Sequence, residues 1–204
     1  MTGLPADERS DPVARNIERI RAAALVSFAA RGVAATSLRE VAGAAGVSIG
    51  LVQHHFGTKA GLVDAVDRHA AEVLQKTLAS GPGPTTVDAF GEKVTALLVQ
   101  HPMVVDYLSR ALVDGTPFGS SIFDILIEQG LTRWENRAAE GLTRPDLDHT
   151  WAALNPVLLF FGTVLLRAHI DRHLPAPFTS PEQLARWGVA VNDMWRKGQF
   201  LPDA

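Results

Sequence analysis

The sequence contains no cysteine. That absence excludes disulfides, zinc–thiolate sites and thiol nucleophiles together. It suits a reducing cytoplasm, and the amino end does not argue otherwise. Residues 1–11 carry Pro5, Asp7, Glu8, Arg9 and Ser10 with little apolar content, so 1–12 reads as a disordered arm rather than a signal core. Long hydrophobic runs are also missing. The most apolar stretch, 157–166, is broken by Gly162 and Thr163 and closed by Arg167. A membrane span needs about 20 apolar residues, so this stretch reads as a buried helix or a subunit interface, and no membrane partner is expected.

The enzyme signatures are absent as well. The chain has no His-Glu-x-x-His, no glycine loop of the phosphate-binding kind and no Gly-x-Ser-x-Gly. His169 and His173, four apart on an expected helix, have a spacing that could share a metal, with Asp171 pointing elsewhere on the wheel. A solvated helix end is the plainer reading of that pair. Neither a metal, a cofactor nor an enzymatic activity is therefore expected. Strand-like alternation, internal repeats and low-complexity runs do not occur.

The net charge is only −3, but it is unevenly placed. Residues 1–60 hold seven Lys+Arg against five Asp+Glu, and between 13 and 59 the balance is six against two. From residue 61 onward there are 12 basic residues against 17 acidic. A basic head on an acidic body suits local phosphate binding.

What the chain does contain is helical periodicity almost throughout, which predicts an all-α fold of about nine helices. Ile17, Ile20, Ala24 and Phe28 recur at helical spacing, and Gly32 should end that first helix. Ser37-Leu-Arg-Glu40 has the form of a capping box, in which hydroxyl and carboxylate each satisfy a backbone N–H of the other residue. A second helix would run to Ala45, with Gly46 in a turn that needs positive φ. Ser48 caps a third helix to about His55. Thr58 caps a long fourth, with Leu62, Val66, Val73 and Leu78 on one side. Ser80-Gly-Pro-Gly-Pro84 cannot be helix interior. Further helices are expected at about 85–100, 103–113, 118–141, 147–173 and 181–199. The last opens on Ser180-Pro-Glu-Gln183 and carries Leu184, Trp187, Val191 and Met194 on one face. Pro156 should kink or interrupt the eighth.

The stretch 37–56, SLREVAGAAGVSIGLVQHHF, reads as a helix-turn-helix whose second helix enters the major groove. Ala42 is small where two helices cross, and Val41, Val47 and Val52 supply the apolar underside, with Phe56 in the core. These residues resemble the TetR (tetracycline repressor) family: Thr36-Ser37-Leu-Arg-Glu-Val41-Ala42, then Ala45-Gly46-Val47-Ser48-x-Gly50, then His54-x-Phe56-x-x-Lys59-x-x-Leu62, in the family's order and spacing. The match covers about the first third of the chain. One departure is Val52-Gln-His-His-Phe56, since the family often has an aromatic, usually tyrosine, at the positions of Gln53 and His55.

The resemblance implies a domain plan: a DNA-binding domain at 13–57, a connecting helix at 58–80, and a ligand-binding and dimerisation domain at 81–204. It implies double-stranded operator DNA, a mostly apolar small-molecule effector, and a homodimer through the last two long helices. Lys59 should meet a phosphate, helped by the N–H groups opening its helix. His54 and His55 are expected on phosphate or sugar, unless one of them packs. Gln53 is the candidate base reader, and Ile49 and Leu51 can meet thymine methyls. Gly50 lets the backbone approach DNA or else packs closely. Thr36, Ser37 and Arg39, with Ser48 at the next helix start, hold the backbone. In the second domain Phe90, Tyr107, Arg110, Phe123, Trp134, Trp151 and Asn155 are the expected pocket residues, though an aromatic taken singly is more often core. The alternative function is a DNA-binding regulator controlled by a protein partner instead of a small molecule, which a solidly packed second domain would favour.

Overall fold

The computed structural model describes residues 12–79 and 87–199. The expected arm and the 80–84 breakpoint fall outside them. Among the described residues the chain is helical throughout: α1 (Pro12–Arg31), α2 (Leu38–Ala45), α3 (Ile49–Phe56), α4 (Lys59–Ala79), α5 (Val87–Gln100), α6 (Pro102–Val113), α7 (Pro117–Ala139), α8 (His149–Leu165), α9 (Arg167–Ile170) and α10 (Pro181–Gln199), with a 3-10 turn at Asp171–His173.

Each helix exists because its apolar stripe has somewhere to go. On α1, Ile20, Ala24, Leu25 and Phe28 are buried, three of them at the expected spacing. Leu62, Val66, Ala70, Val73 and Leu74 form the same kind of stripe on α4. α6 lies along α1 and buries Val104, Val105, Tyr107 and Leu108. The result is one continuous core from Ile20 in the head to Leu184 on α10, with α7 packed on α8 and α10 on α5.

Two close approaches fix how elements meet, one between head and body and one within the body. Gly32 ends α1 at φ +81°, and a Cβ there would lie 2.7 Å from the Asp114 carboxylate at the end of α6. Gly130 on α7 sits against Ala153 on α8, where a Cβ would come within 2.9 Å of the alanine methyl. Both glycines are small because another element occupies the space a side chain would need.

The eighth helix differs from expectation in two ways. Pro156 does not interrupt it. A proline removes the N–H that would bond the carbonyl four residues back, that of Ala152. The indole N–H of Trp134 on α7 donates to that carbonyl instead, at 2.9 Å. The helix also does not run to 173. It stops at Leu165, and the chain turns by 69° into α9. Thr163 donates its hydroxyl to the Leu159 carbonyl at 2.7 Å, a bond that competes with the helical ladder. Arg167 then turns to pair with Asp106 of α6 at 3.2 Å. His169 and His173 are thereby placed on α9 and on the 3-10 turn, both exposed, and not on successive turns of one α-helix.

Candidate functional site

The head is built by backbone chemistry that the sequence announces. Ser37 accepts from the Glu40 N–H at 3.2 Å, and Glu40 Oε2 accepts from the Ser37 N–H at 2.7 Å, closing the capping box on α2. The Ser37 N–H and hydroxyl, aided by Arg31, hold the Glu40 carboxyl below its ordinary range. Gly46 ends α2 in the left-handed region, φ 64° and ψ 39°. Ser48 caps α3 by accepting from the Leu51 N–H at 3.2 Å. Thr58 does the same for α4, through the Gly61 N–H. Gly61 itself admits no side chain, because a Cβ would fall 2.2 Å from the Phe56 carbonyl oxygen.

One tie in the head is invisible in the residue pattern. Arg19 on α1 donates to the Ala45 carbonyl at 2.6 Å and covers the turn at Gly46. It satisfies an orphan carbonyl at the end of α2, so α1 sets where the turn sits. Nothing in the spacing around Arg19 distinguishes it from Arg15 or Arg21.

Val52 is buried beneath α3 and Phe56 packs against the core at its end. The opposite side of α3 faces solvent. Ser48, Ile49, Gly50, Gln53 and His54 are exposed there, together with Arg39 on α2; Leu51, His55 and Lys59 are half-buried. A Cβ on Gly50 would meet only the Ser48 Oγ, at 3.9 Å, so close packing is not the reason for that glycine. His55 lies edge-on to Phe56, with ring centroids 6.4 Å apart. Lys59 reaches the Ala34 carbonyl at 3.2 Å, which places its ammonium over the approach to α2.

One of the expected backbone-holding residues is corrected, and a second is engaged in the capping box. Thr36 is only 1% exposed and donates its hydroxyl to the Gly32 carbonyl at 2.9 Å; it locks the α1–α2 loop and cannot reach a phosphate. Ser37 is exposed, but its hydroxyl is engaged with Glu40 on both sides, as donor and as acceptor.

In the body, a cavity with about 80 Å³ of free space lies between α4, α5, α7, α8 and α10. Leu74 and Leu78 of α4, Phe160 and Phe161 of α8, and Trp187 and Trp195 of α10 are among its walls. Pro156 is part of the wall too, so the break in the α8 ladder faces this space.

None of the expected pocket residues with a described side chain belongs to this cavity, and the reasons are specific. Tyr107 donates to Asp67 of α4 and stacks on Phe118 of α7 at 6.0 Å, with Phe28 of α1 at 6.3 Å; it joins α1, α4, α6 and α7. Burial pushes the Asp67 carboxyl up, against the lowering effect of the Tyr107 bond, and burial likewise pushes the Tyr107 phenol up. Arg110 pairs with Asp114 at 2.9 Å above Gly32. Trp134 is committed to Ala152, and half-buried Phe123 lies off the cavity. Trp151 is 56% exposed, and Asn155 is exposed one turn along. Phe90 lies outside the described side chains. Periodicity places a residue on the inner face of a helix but does not say which neighbour fills the space opposite.

Trp151, Asn155, Leu158, Gly162 and Leu165 fall on one face of α8, at the four- and three-residue steps of a helix. Trp151, Leu158 and Leu165 there are exposed, as are Val189, at 66%, and Met194 on α10. No single helix among the described residues is long and apolar enough to cross a membrane.

The comparisons with known proteins agree with this geometry. Residues 20–66, the head and the start of α4, match the family described as bacterial regulatory proteins, tetR family. The HTH-type transcriptional repressor Rv3405c of Mycobacterium tuberculosis is 41% identical over 124 residues, 58% of this chain and 60% of the relative's own length. The HTH-type transcriptional repressor KstR2 of Mycolicibacterium smegmatis is 31% identical over 157 residues, covering 71% of this chain and 75% of that protein. A TetR family transcriptional regulator from Chloroflexus aurantiacus superposes with a TM-score of 0.75 over 98% of this chain and 96% of that one, at 17% identity, which speaks for the fold alone. By its helix-turn-helix, its all-α body and these relatives, the chain belongs to the TetR family of bacterial regulatory proteins.

Proposed function

We propose that this protein is a sequence-specific DNA-binding transcription regulator, a repressor that leaves its operator when a small molecule occupies the cavity between α4, α5, α7, α8 and α10. The observation that carries the DNA reading is the outer side of α3. It presents polar Gln53 and His54, apolar Ile49, and a glycine whose missing side chain opens onto solvent. Arg39 and Lys59 flank it as phosphate contacts, and Gln53 is the base reader.

The protein acts as a homodimer. The stripe of Trp151, Leu158 and Leu165 on α8, with Val189 and Met194 on α10, supports a four-helix interface between two copies. Two recognition helices then reach half-sites about 34–36 Å apart, or a multiple of that. The cavity favours a small-molecule switch over control by a partner protein alone. α4 begins at Lys59 beside the reading helix and carries Leu74 and Leu78 in the cavity wall. A ligand that fits better when α4 is displaced changes the spacing of the heads. A ligand with equal affinity for both arrangements shifts nothing.

The test is selection of bound duplexes from random DNA, followed by titration of the selected operator at several salt concentrations. Affinity that falls linearly on a log–log salt plot is expected. No salt-sensitive affinity for any duplex would overturn the regulator reading.

A further inference from the structure

We propose that Arg31 is a positioning residue for DNA binding: by pairing with Glu40 it cancels a carboxylate that stands at the start of α2, where the phosphate backbone approaches. The proposal rests on the DNA reading of the head and adds to it a residue that need not touch the duplex.

The problem is one of charge. Between residues 19 and 63 the chain has a single acidic residue, Glu40, against five Lys or Arg: Arg19, Arg21, Arg31, Arg39 and Lys59. That acid sits where a DNA binder has least use for it. In a helix-turn-helix the first helix crosses the sugar–phosphate backbone, and the N–H groups that open a helix favour an anion. Glu40 takes that place itself. Its Oε2 accepts from the Ser37 N–H at 2.7 Å and from the Ser37 hydroxyl at 2.8 Å, so the carboxylate folds back over the start of α2. Arg39 is its neighbour in the chain and is exposed, and the Lys59 ammonium is held on the Ala34 carbonyl of the loop leading into α2. A phosphate drawn in by these two cations meets the Glu40 charge.

Arg31 answers that charge. It is the last residue of α1, and its Nη1 donates to Glu40 Oε1 at 2.8 Å. One carboxylate oxygen thus serves the cap and the other serves the cation. Both side chains of the pair are open to solvent, and an exposed ion pair adds little to folding. What the pair changes is the charge that the duplex meets: none with Arg31 in place, one negative unit without it. The cap does not need the charge, because glutamine closes a capping box as glutamate does.

Fold and charge predict different patterns. Arg31→Gln and Glu40→Gln break the same bond, so an effect that passes through the fold has one sign in both. An effect of charge on a phosphate backbone has opposite signs.

The experiment is titration of the full chain with the selected operator and with random duplex, at about 0.05 M and about 0.3 M salt. At the lower salt Arg31→Gln should bind both duplexes about fivefold more weakly than wild type, and Glu40→Gln about fivefold more tightly. The double variant should lie within about twofold of wild type. Arg31→Lys keeps the charge and should bind as wild type does. Both single-variant effects should shrink at the higher salt, since exposed charges are screened. The ratio of operator to random affinity should hold throughout, because phosphates carry no sequence. Arg31→Gln and Glu40→Gln shifting affinity in the same direction, or neither shifting it, overturns the proposal. So does Arg31→Lys binding as weakly as Arg31→Gln, which stands as a test even where Glu40→Gln disturbs the cap. Wild type with no salt-sensitive affinity for any duplex removes the DNA reading and this proposal together; salt-sensitive wild type without the opposed shifts removes the role of Arg31 alone.

Discussion

The indole N–H of Trp134 occupies the place on the Ala152 carbonyl that Pro156 leaves unfilled. A helix can therefore carry a proline through its middle without an unsatisfied buried acceptor, because a neighbouring helix supplies the donor. Trp134→Phe should destabilise the chain by about 1–3 kcal/mol, the cost of leaving a buried carbonyl unpaired. In that background Pro156→Ala restores the helix's own N–H and should recover part of the loss. Urea unfolding of the four proteins measures the coupling. Strict additivity would show that the bond contributes nothing.

Gly50→Ala separates folding from reading. The position is exposed in the first turn of α3, with room for a methyl. Replacing glycine by alanine where the backbone suits alanine gains about 0.4–1 kcal/mol, chiefly by restricting the unfolded chain. The variant should melt higher and yet bind operator more weakly, because the methyl stands between backbone and DNA. Equal or tighter operator binding would remove Gly50 from the interface.

Gln53 and Lys59 should fail differently. Gln53→Ala is expected to cost about 1–3 kcal/mol at one base position and to relax specificity there. Lys59→Ala should weaken operator and random duplex alike and lower the salt slope by about one unit. Competition titrations at two salt concentrations distinguish them. Identical losses on both kinds of DNA for Gln53→Ala would show that it reads no base.

The acid limb of stability should carry the mark of Glu40. Its carboxyl titrates below the ordinary value of 4.5 in the folded chain, through the Ser37 N–H and hydroxyl and through Arg31. A depressed folded pKa means the contribution is fully present above the unfolded value and disappears as pH falls through the folded one. Ser37→Ala removes one of the bonds that depress it. Its stability should therefore fall less steeply than wild type on going from neutral to acid. Parallel curves for the two proteins, measured by thermal melts across that range, would count against this.

Much of the head is legible in the residues because its devices are local. The capping box at Ser37 and Glu40, the left-handed Gly46 and the caps at Ser48 and Thr58 act within three or four residues, and each is found as expected. Thr36 misleads for a related reason: a threonine beside a helix start suits a phosphate as well as a loop carbonyl, and only the burial of the α1–α2 loop decides. The body is harder to read. Tyr107, Trp134 and Trp151 have the same look in the sequence, yet one joins four helices, one mends a proline gap and one faces outward. Those differences depend on partners 18 to 40 residues away or, for Trp151, on exposure to solvent. The bend after Leu165 escapes the pattern as well, since apolar spacing continues through it and the Arg167–Asp106 pair spans 61 residues.

The Arg19 guanidinium on the last carbonyl of α2 and the bare Gly32 against Asp114 lie on the same helix. α1 thus grips the reading unit with one side chain and touches the body with its naked end. Neither junction leaves slack. If an effector acts from the interior as proposed, these two junctions would carry its effect to the groove as a tilt of the whole head, with α3 itself left intact.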